Sequence, residues 1–432
     1  MEENKTSKNK NLHQAKEAKN DEFFTMISDI EKELKHYKDF FKGKIVYCNC
    51  DDARESNFFK YFSMNFEHLG LKKLITTGYK KDGKGVLLVY EGDKNGNRKV
   101  DDSEIITTEL QGNGDFKSQE CIEFLKEADV VVTNPPFSLF REYVKQLMDY
   151  GKKFLIIGNQ NAITYKEIFP YIKNNELWLG ITMNGSNRWF SVPDSYTVKK
   201  NAAGYKIENG KKMLFVNGVV WFTNIPHDKR NQPLDLYKKY NPTDYKIYDN
   251  YCAINVDKVS DIPIDEYIEI KVKDEEISKW KATYGDDAEI IEENDEKRIK
   301  IKNPVYGIPI TFLHKYCPDQ FEIVSFRKGE DGNDLIFTRE EEVDFNNQLL
   351  KKKQEFNLTF ESLFDVDPRN DKKWRRKSEW ENYLRKNNNK EKVKKPIDYF
   401  FPITTNLENG LVNDCTVKGK KTYVRILIRK KK

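Results

Sequence analysis

The stretch DVVVTNPPFSLF, residues 129–140, holds the most specific chemical arrangement in the chain. An asparagine followed by two prolines has a side-chain amide that cannot wander. The side-chain carbonyl of Asn134 and the backbone carbonyl of Pro135 offer two acceptors aimed at one point. That pair suits a planar –NH2 group, which donates two hydrogen bonds. Phe137 adds a flat face for stacking. An aromatic amine gripped in this way has its nitrogen lone pair drawn out of conjugation and turned towards an electrophile. A base amine, reached by flipping the base out of a duplex, fits these requirements. Taken alone, the same four residues are also a proline-stiffened turn with a packed aromatic.

An amide that must hold still needs a rigid support. The β-branched run Val130-Val131-Val132 favours a strand covered on both faces. Pro135 and Pro136 lack N–H donors and end the ladder. Asn134 and Phe137 therefore stand at the C-terminal edge of a strand, where open α/β sheets bind ligands. Further strands are expected at 44–48, 73–77 and 152–160, and a β-hairpin around the Asn/Gly turn in 85–100. A helix capped by Thr25 or Ser28 should run to Tyr37. Others should cover 121–128, 141–151 and the aromatic FFKYFSMNFEHLG, closed by Gly70. Strands separated by helices mean a doubly wound α/β fold with a mostly parallel, Rossmann-like sheet.

Past residue 185 the texture becomes aromatic and strand-like. The expected organisation is a mobile polar arm (1–20), a catalytic domain (21–185), a mostly β target-recognition region (186–329), a charged insertion (330–400) and a basic C-terminal β-arm (401–432). Within the insertion, WRRKSEWENYLRK is a candidate helix, and 271–302, rich in Lys and acidic residues, is expected to be exposed. At 432 residues the chain exceeds one ordinary domain. Its 27 Phe and 23 Tyr argue against a largely disordered protein. Between Asp371 and Lys432 there are 19 Lys and Arg against 7 Asp and Glu, while the whole chain carries only +5. A basic tail of that kind fits a polyanion partner or a solvated, solubilising surface. The six cysteines and five histidines are too scattered for a zinc site, so no metal is expected. The first 20 residues lack the apolar core of a signal peptide, and no apolar run reaches membrane-spanning length. A cytoplasmic protein with reduced cysteines is the expectation.

Thr133-Asn134-Pro135-Pro136-Phe137 resembles the (N/D/S)PP(Y/F) motif of amino-methyltransferases that use S-adenosylmethionine. Asn20-Asp21-Glu22-Phe23-Phe24-Thr25, Cys48-Asn49-Cys50-Asp51-Asp52, NPVYGIPITFL (303–313) and YVRILIR (423–429) extend the likeness to the EcoRI-type DNA adenine-N6 methyltransferases. It runs from about 20 to 328 and resumes near 405, leaving the charged stretch 330–400 as extra. The resemblance implies that Asn134 and Pro135 accept from adenine N6, beside Pro136, and that Phe137 stacks on the flipped base. It implies that Phe24 and Thr25 sit over S-adenosylmethionine, Thr25 on its carboxylate. Asn49, Asp51 and Asp52 would line the methionine and ribose part. Asp115 and Phe116 would bracket the cofactor's adenine, and Trp189-Phe190 would give the flipped base a second face. Cofactor segments preceding NPPF, with recognition after it, resemble the order of the γ group.

The chain departs from that pattern in one place. The family's loop after the first strand is glycine-rich, and residues 49–57 contain no glycine. Asn tolerates positive φ best among the other residues, so Asn49 and Asn57 are the expected sites. The strand ending at Thr77 also lacks the acidic residue expected at the ribose. Each assignment has a structural counterpart: Asp51-Asp52 as a helix cap, Trp189-Phe190 as core, Cys48 and Cys50 as small buried residues. The expected function is a site-specific DNA adenine-N6 methyltransferase acting on double-stranded DNA. It would serve a restriction-modification system, with a cognate restriction endonuclease, or an orphan or phage-type role. The alternatives are methylation of RNA adenine or a protein glutamine, non-catalytic DNA binding on the same scaffold, or a nuclease fused through 330–400.

Overall fold

The computed structural model describes residues 24–50, 53–80, 82–192, 204–248, 251–293, 296–326, 416–417, 420–421 and 425–431. The expected arm 1–20, the pair Asp51-Asp52, the insertion 330–400 with its candidate helix, and most of the arm 401–432 lie outside them. The chain divides into two compact units. The first runs to Gln232 and takes in Leu313–Lys315; the second holds Pro233–Phe312 and continues from Tyr316.

In the first unit, α1 (Ile27–Leu34) leads through a 3-10 turn to β1 (Ile45–Cys48). Then follow α2 (Asn57–Met64), α3 (Phe66–Leu69), β2 (Lys73–Gly78), β3 (Val86–Tyr90), β4 (Ile105–Glu109), α4 (Gln119–Glu127), β5 (Val130–Thr133), α5 (Phe140–Asp149) and β6 (Lys153–Asn159). After α6 (Phe169–Lys173) come β7 (Trp178–Leu179), β8 (Ser186–Ser191), β9 (Tyr205–Glu208) and β10 (Lys211–Thr223). The sheet order is β4-β3-β2-β1-β5-β6-β10-β7, with β8 and β9 also on β10. Its centre, β2-β1-β5-β6, is parallel, and both flanks are antiparallel. Every residue of β1 and β5 is buried, as runs of Val and Ile without polar alternation require.

Several local expectations are corrected. The helix at 27 begins after Met26 with no side-chain cap, so neither Thr25 nor Ser28 caps it. Ser56 caps α2 by accepting from the N–H groups of Phe58 and Phe59, so Asp51-Asp52 do not have that task. The hairpin after Gly85 pairs β3 with β4, not with 95–100. Carboxylates explain the longer loop between them: Asp93 accepts from the N–H of Gly96 and Arg98, and Glu104 from Lys94 and Asn95. Such local bonds compete with a strand ladder. The module change expected at 185 falls inside the sheet instead, because β10 pairs with β6 from Val219↔Asn159 to Thr223↔Leu155.

The second unit contains a five-stranded and a three-stranded sheet. Their elements are β11 (Lys246–Ile247), β12 (Ile254–Asn255), β13 (Tyr267–Lys271), α7 (Asp274–Tyr284), β14 (Ala288–Glu293), β15 (Glu296–Lys302), β16 (Tyr306–Pro309) and β17 (Phe321–Ser325). A short pair, β18 (Thr416–Val417) with β19 (Lys420–Lys421), precedes β20 (Arg425–Lys430). The stretch 271–302, expected to be exposed, supplies β14 and β15 of the smaller sheet. Ile268, Ile270, Ile299 and Ile301 are buried while their charged neighbours face water. The chain terminus is not an arm either: β20 lies between β16 and β17, antiparallel to both. Its Ile426, Leu427 and Ile428 are buried.

The charges of β20 have partners within this unit. Arg425, whose side chain is 7% exposed, donates to Asp257 Oδ1 at 2.7 Å. Lys430 Nζ donates to the carbonyls of Pro263, Ile264 and Asp265, and burial lowers its pKa. For these residues, anchoring replaces the expected role in a polyanion-binding or solvated tail. Arg425→Ala should destabilise the second unit by about 2 kcal/mol, less than a fully buried pair would because Asp257 is exposed. Calorimetric unfolding checks this; a change under about 0.5 kcal/mol, the range of ordinary surface substitutions, would mean that the pair is ornamental.

Candidate active site

The C-terminal edge of the parallel strands brings Asn49 and Asn134 together. β1 and β5 are neighbours with Val46 opposite Val130 and Tyr47 opposite Val131. Their next residues, Asn49 after β1 and Asn134 after β5, thus emerge at one edge. Both are buried, at 3% and 6% exposed. Pro136 enters a 3-10 turn over Phe137–Leu139, closed by the Leu139 N–H on the Pro136 carbonyl at 3.0 Å. Phe137 is half-buried and packs against the hydrophobic core. The turn leads into α5, so the motif is clamped between a buried strand and a helix.

Asn49 is fixed from two sides. Thr133 Oγ1 donates to its backbone carbonyl, and the Tyr143 hydroxyl donates to its Oδ1. The glycine-free loop does reach positive φ, but at Cys50 (φ 68°), with neither Asn49 nor Asn57 in that region. Asn57 is instead the first residue of α2, where its Nδ2 donates to the Thr25 carbonyl at 2.6 Å. Cys48 is buried and Cys50 partly so.

Phe24 bridges Ser191 at the end of β8, with N–H to carbonyl distances of 2.8 and 3.2 Å. Thr25 is 1% exposed, and its Oγ1 is buried with no hydrogen-bond partner among the described residues. An unsatisfied buried hydroxyl is costly. At this position it fits an oxygen-bearing ligand, and the donor set therefore agrees with an S-adenosylmethionine carboxylate.

Asp115 and Phe116 reach the same region through a tight approach. The Lys80 N–H donates to the Asn113 carbonyl at 2.8 Å and the Gly85 N–H to Gly112 at 2.9 Å. A Cβ at Gly114 (φ +79°) would lie 2.3 Å from the Gly78 carbonyl oxygen at the end of β2. Glycine is required there by both space and backbone. Asp115 accepts from the Lys117 N–H at 2.9 Å. Phe116 is 6% exposed and stands edge-on to the Tyr143 ring, with centroids 5.0 Å apart.

The pair Trp189-Phe190 is divided by strand alternation. Phe190 is 1% exposed and belongs to the core, so its ring offers no face for a base. Trp189 lies on the other face, half-buried, against Phe215 at 5.0 Å and with Lys206 Nζ 4.5 Å above its ring. Sequence reasoning missed Tyr143 and the anchoring role of Thr133. Tyr143 reads as an ordinary apolar position of an amphipathic helix, and nothing in its spacing marks it. It also missed Thr76, whose Oγ1 on β2 is buried without a partner among the described residues. The register puts Thr76 opposite Cys48, one residue before Asn49. Among the described residues, no group of three or more His, Cys, Asp or Glu is arranged to hold a metal, and no helix is long and apolar enough to cross a membrane.

Comparison with known proteins bears on the same chemistry. The family model described as adenine-specific methyltransferase EcoRI matches residues 11–303 and 283–431. The Type II methyltransferase M.EcoRI of Escherichia coli is 44% identical over 337 residues, covering 76% of this chain and 92% of that protein. M.MgeORF184P of Mycoplasma genitalium is 36% identical, covering 72% of this chain and 85% of the relative. M.MpnI of Mycoplasma pneumoniae is 35% identical, covering 72% and 84%. With a family model matching most of the chain and a relative 44% identical over 92% of its length, the protein is an enzyme of the EcoRI adenine-specific methyltransferase family.

Proposed function

We propose that this enzyme transfers a methyl group from S-adenosylmethionine to N6 of an adenine flipped out of double-stranded DNA. The observation that carries the reading is Asn134 at the C-terminal end of β5, held by Pro135 and Pro136. When bound, S-adenosylmethionine supplies an activated sulfonium methyl. The chain's task is positioning. Asn134 Oδ1 and the Pro135 carbonyl accept from N6 and turn its lone pair to the methyl, while Phe137 stacks on the base. N6 would take the methyl of the bound sulfonium, which leaves as a neutral thioether, and the proton lost from N6 would pass to solvent without a strong general base. Thr25 holds the cofactor carboxylate, Asn49 with Asp51 and Asp52 the methionine and ribose, and Phe116 with Asp115 the adenine. Trp189, not Phe190, is the second base-facing ring. The enzyme works in the cytoplasm, in a restriction-modification system with a cognate endonuclease or as an orphan modifier. The second unit reads the target sequence.

Labelled methyl transfer to unmethylated genomic DNA, with single-molecule sequencing of the product, tests this reading. N6-methyladenine confined to one short motif is the expected result. Cofactor binding without label in DNA would redirect the assignment to RNA or a protein amide. The cofactor role of Thr25 has its own test. Thr25→Val keeps the side-chain shape and removes the hydroxyl, and should weaken S-adenosylmethionine about tenfold or more, the worth of a hydrogen bond to a charged group. Unchanged affinity by calorimetry would take Thr25 out of the cofactor site.

A further inference from the structure

The loop after β1 achieves a left-handed turn without glycine. Cys50 has φ 68°, a conformation that costs a residue with a Cβ about 1–2 kcal/mol and persists only where neighbours over-determine it. Its neighbour Asn49 is held by two residues that flank the catalytic motif. Thr133, the residue before Asn134, donates its hydroxyl to the Asn49 carbonyl. Tyr143, on the helix that follows the motif, donates to Asn49 Oδ1. Both ends of the catalytic segment thus close on one residue of the cofactor loop. The ring of Tyr143 also braces Phe116 edge-on, so a single side chain touches both loops assigned to the cofactor.

We propose that Tyr143 and Thr133 are positioning residues that act through Asn49, tying the geometry of the cofactor loop to that of the Asn134 amide. The proposal rests on the reading of this edge as an S-adenosylmethionine site. Once both of its oxygens have accepted bonds, Asn49 offers N–H donors, the groups that suit the oxygens of a cofactor. Tyr143 is fully buried, and burial keeps its pKa well above the usual phenol value. It therefore remains a neutral donor throughout any working pH range. The arrangement replaces backbone freedom with side-chain bonds: a glycine loop approaches its ligand because nothing obstructs it, whereas this loop is held in place from below. It also means that a shift of Asn49 would displace the methyl donor relative to the acceptor nitrogen, so binding and turnover are set together.

The test is a double-mutant cycle read by calorimetric S-adenosylmethionine affinity and by kcat. Tyr143→Phe removes one hydroxyl and keeps the ring against Phe116. It should weaken the cofactor about tenfold and lower kcat, with KM for DNA unchanged. In an Asn49→Ala background the same substitution should change affinity less than twofold, because its route of action is gone. Thr133→Val should behave like Tyr143→Phe, and Thr133→Ser should restore most of the lost affinity. Multiplicative effects of Tyr143→Phe and Asn49→Ala, or an unchanged affinity in both Tyr143→Phe and Thr133→Val, would overturn the proposal. Absence of binding by the unmutated protein is a different failure. It would overturn the cofactor reading itself, and this proposal with it.

Discussion

Asn134→Ala is expected to lower methyl transfer by about three orders of magnitude while leaving S-adenosylmethionine and DNA affinities within a few-fold. The cofactor contacts proposed above lie on the loops after β1 and β4 and on the segment before α1, and the substitution removes none of them. DNA affinity comes mostly from phosphate contacts spread over a large surface. On the proposed mechanism, what disappears is the acceptor for N6, which would matter only as the N–C bond forms. Because Asn134 is buried, a thermal melt must accompany the kinetics. An unchanged melting temperature with lost turnover assigns the residue to chemistry. Parallel losses of stability, cofactor affinity and rate would make it structural, and the amide clamp would have to be abandoned.

The second large effect is expected at a residue with no side chain. Gly114→Ala introduces a methyl group 2.3 Å from the Gly78 carbonyl oxygen, in a backbone region disfavoured for alanine. Both atoms in conflict belong to backbone, so no side chain can swing away. The strain of positive φ and the overpacking together suggest roughly 2–4 kcal/mol, relieved in part by displacing the loop. The displaced segment carries Asp115 and Phe116. Cofactor affinity should therefore fall by an order of magnitude or more, together with a lower melting temperature. Normal cofactor affinity in a destabilised protein would show that Phe116 does not contact the cofactor.

What the sequence disclosed follows from how local each feature is. The strands 45–48, 130–133 and 153–159 announce themselves through apolar runs, 73–78 through Leu74-Ile75 and two β-branched threonines, and the helices between them through their period. Asn134 is legible because two prolines constrain it within five residues. Cys50 as the left-handed residue was not legible. The neighbouring Asn49 is held by Thr133 and Tyr143, which are distant in sequence, and propensity favoured asparagine. The division of Trp189 from Phe190 was available in principle, since adjacent strand residues face opposite ways, but which face is core depends on β10. The NPVYGIPITFL segment illustrates a different limit. A Cβ at Gly307 would lie 2.3 Å from the Tyr248 ring, and Tyr248 OH lies 2.8 Å from Asn255 Oδ1. The glycine there accommodates a tyrosine in the second unit, which no local pattern could reveal. The hairpin was misplaced because carboxylates that bind backbone N–H groups resemble turn residues in composition.

The central position of β20 has a consequence for synthesis. About a hundred residues separate β17 from the strand that pairs with it, and contacts between segments so far apart in sequence form slowly. While the chain emerges from the ribosome, β16 and β17 are made early, each with an edge awaiting a partner that is translated much later. Unpaired edges of buried sequence are templates for association with other chains. A product cut anywhere before Arg425 is therefore worse than a protein missing a tail, because it exposes two strand edges at once. Without β20, β16 and β17 each keep an unpaired edge, and premature termination should send the product to aggregates or proteases.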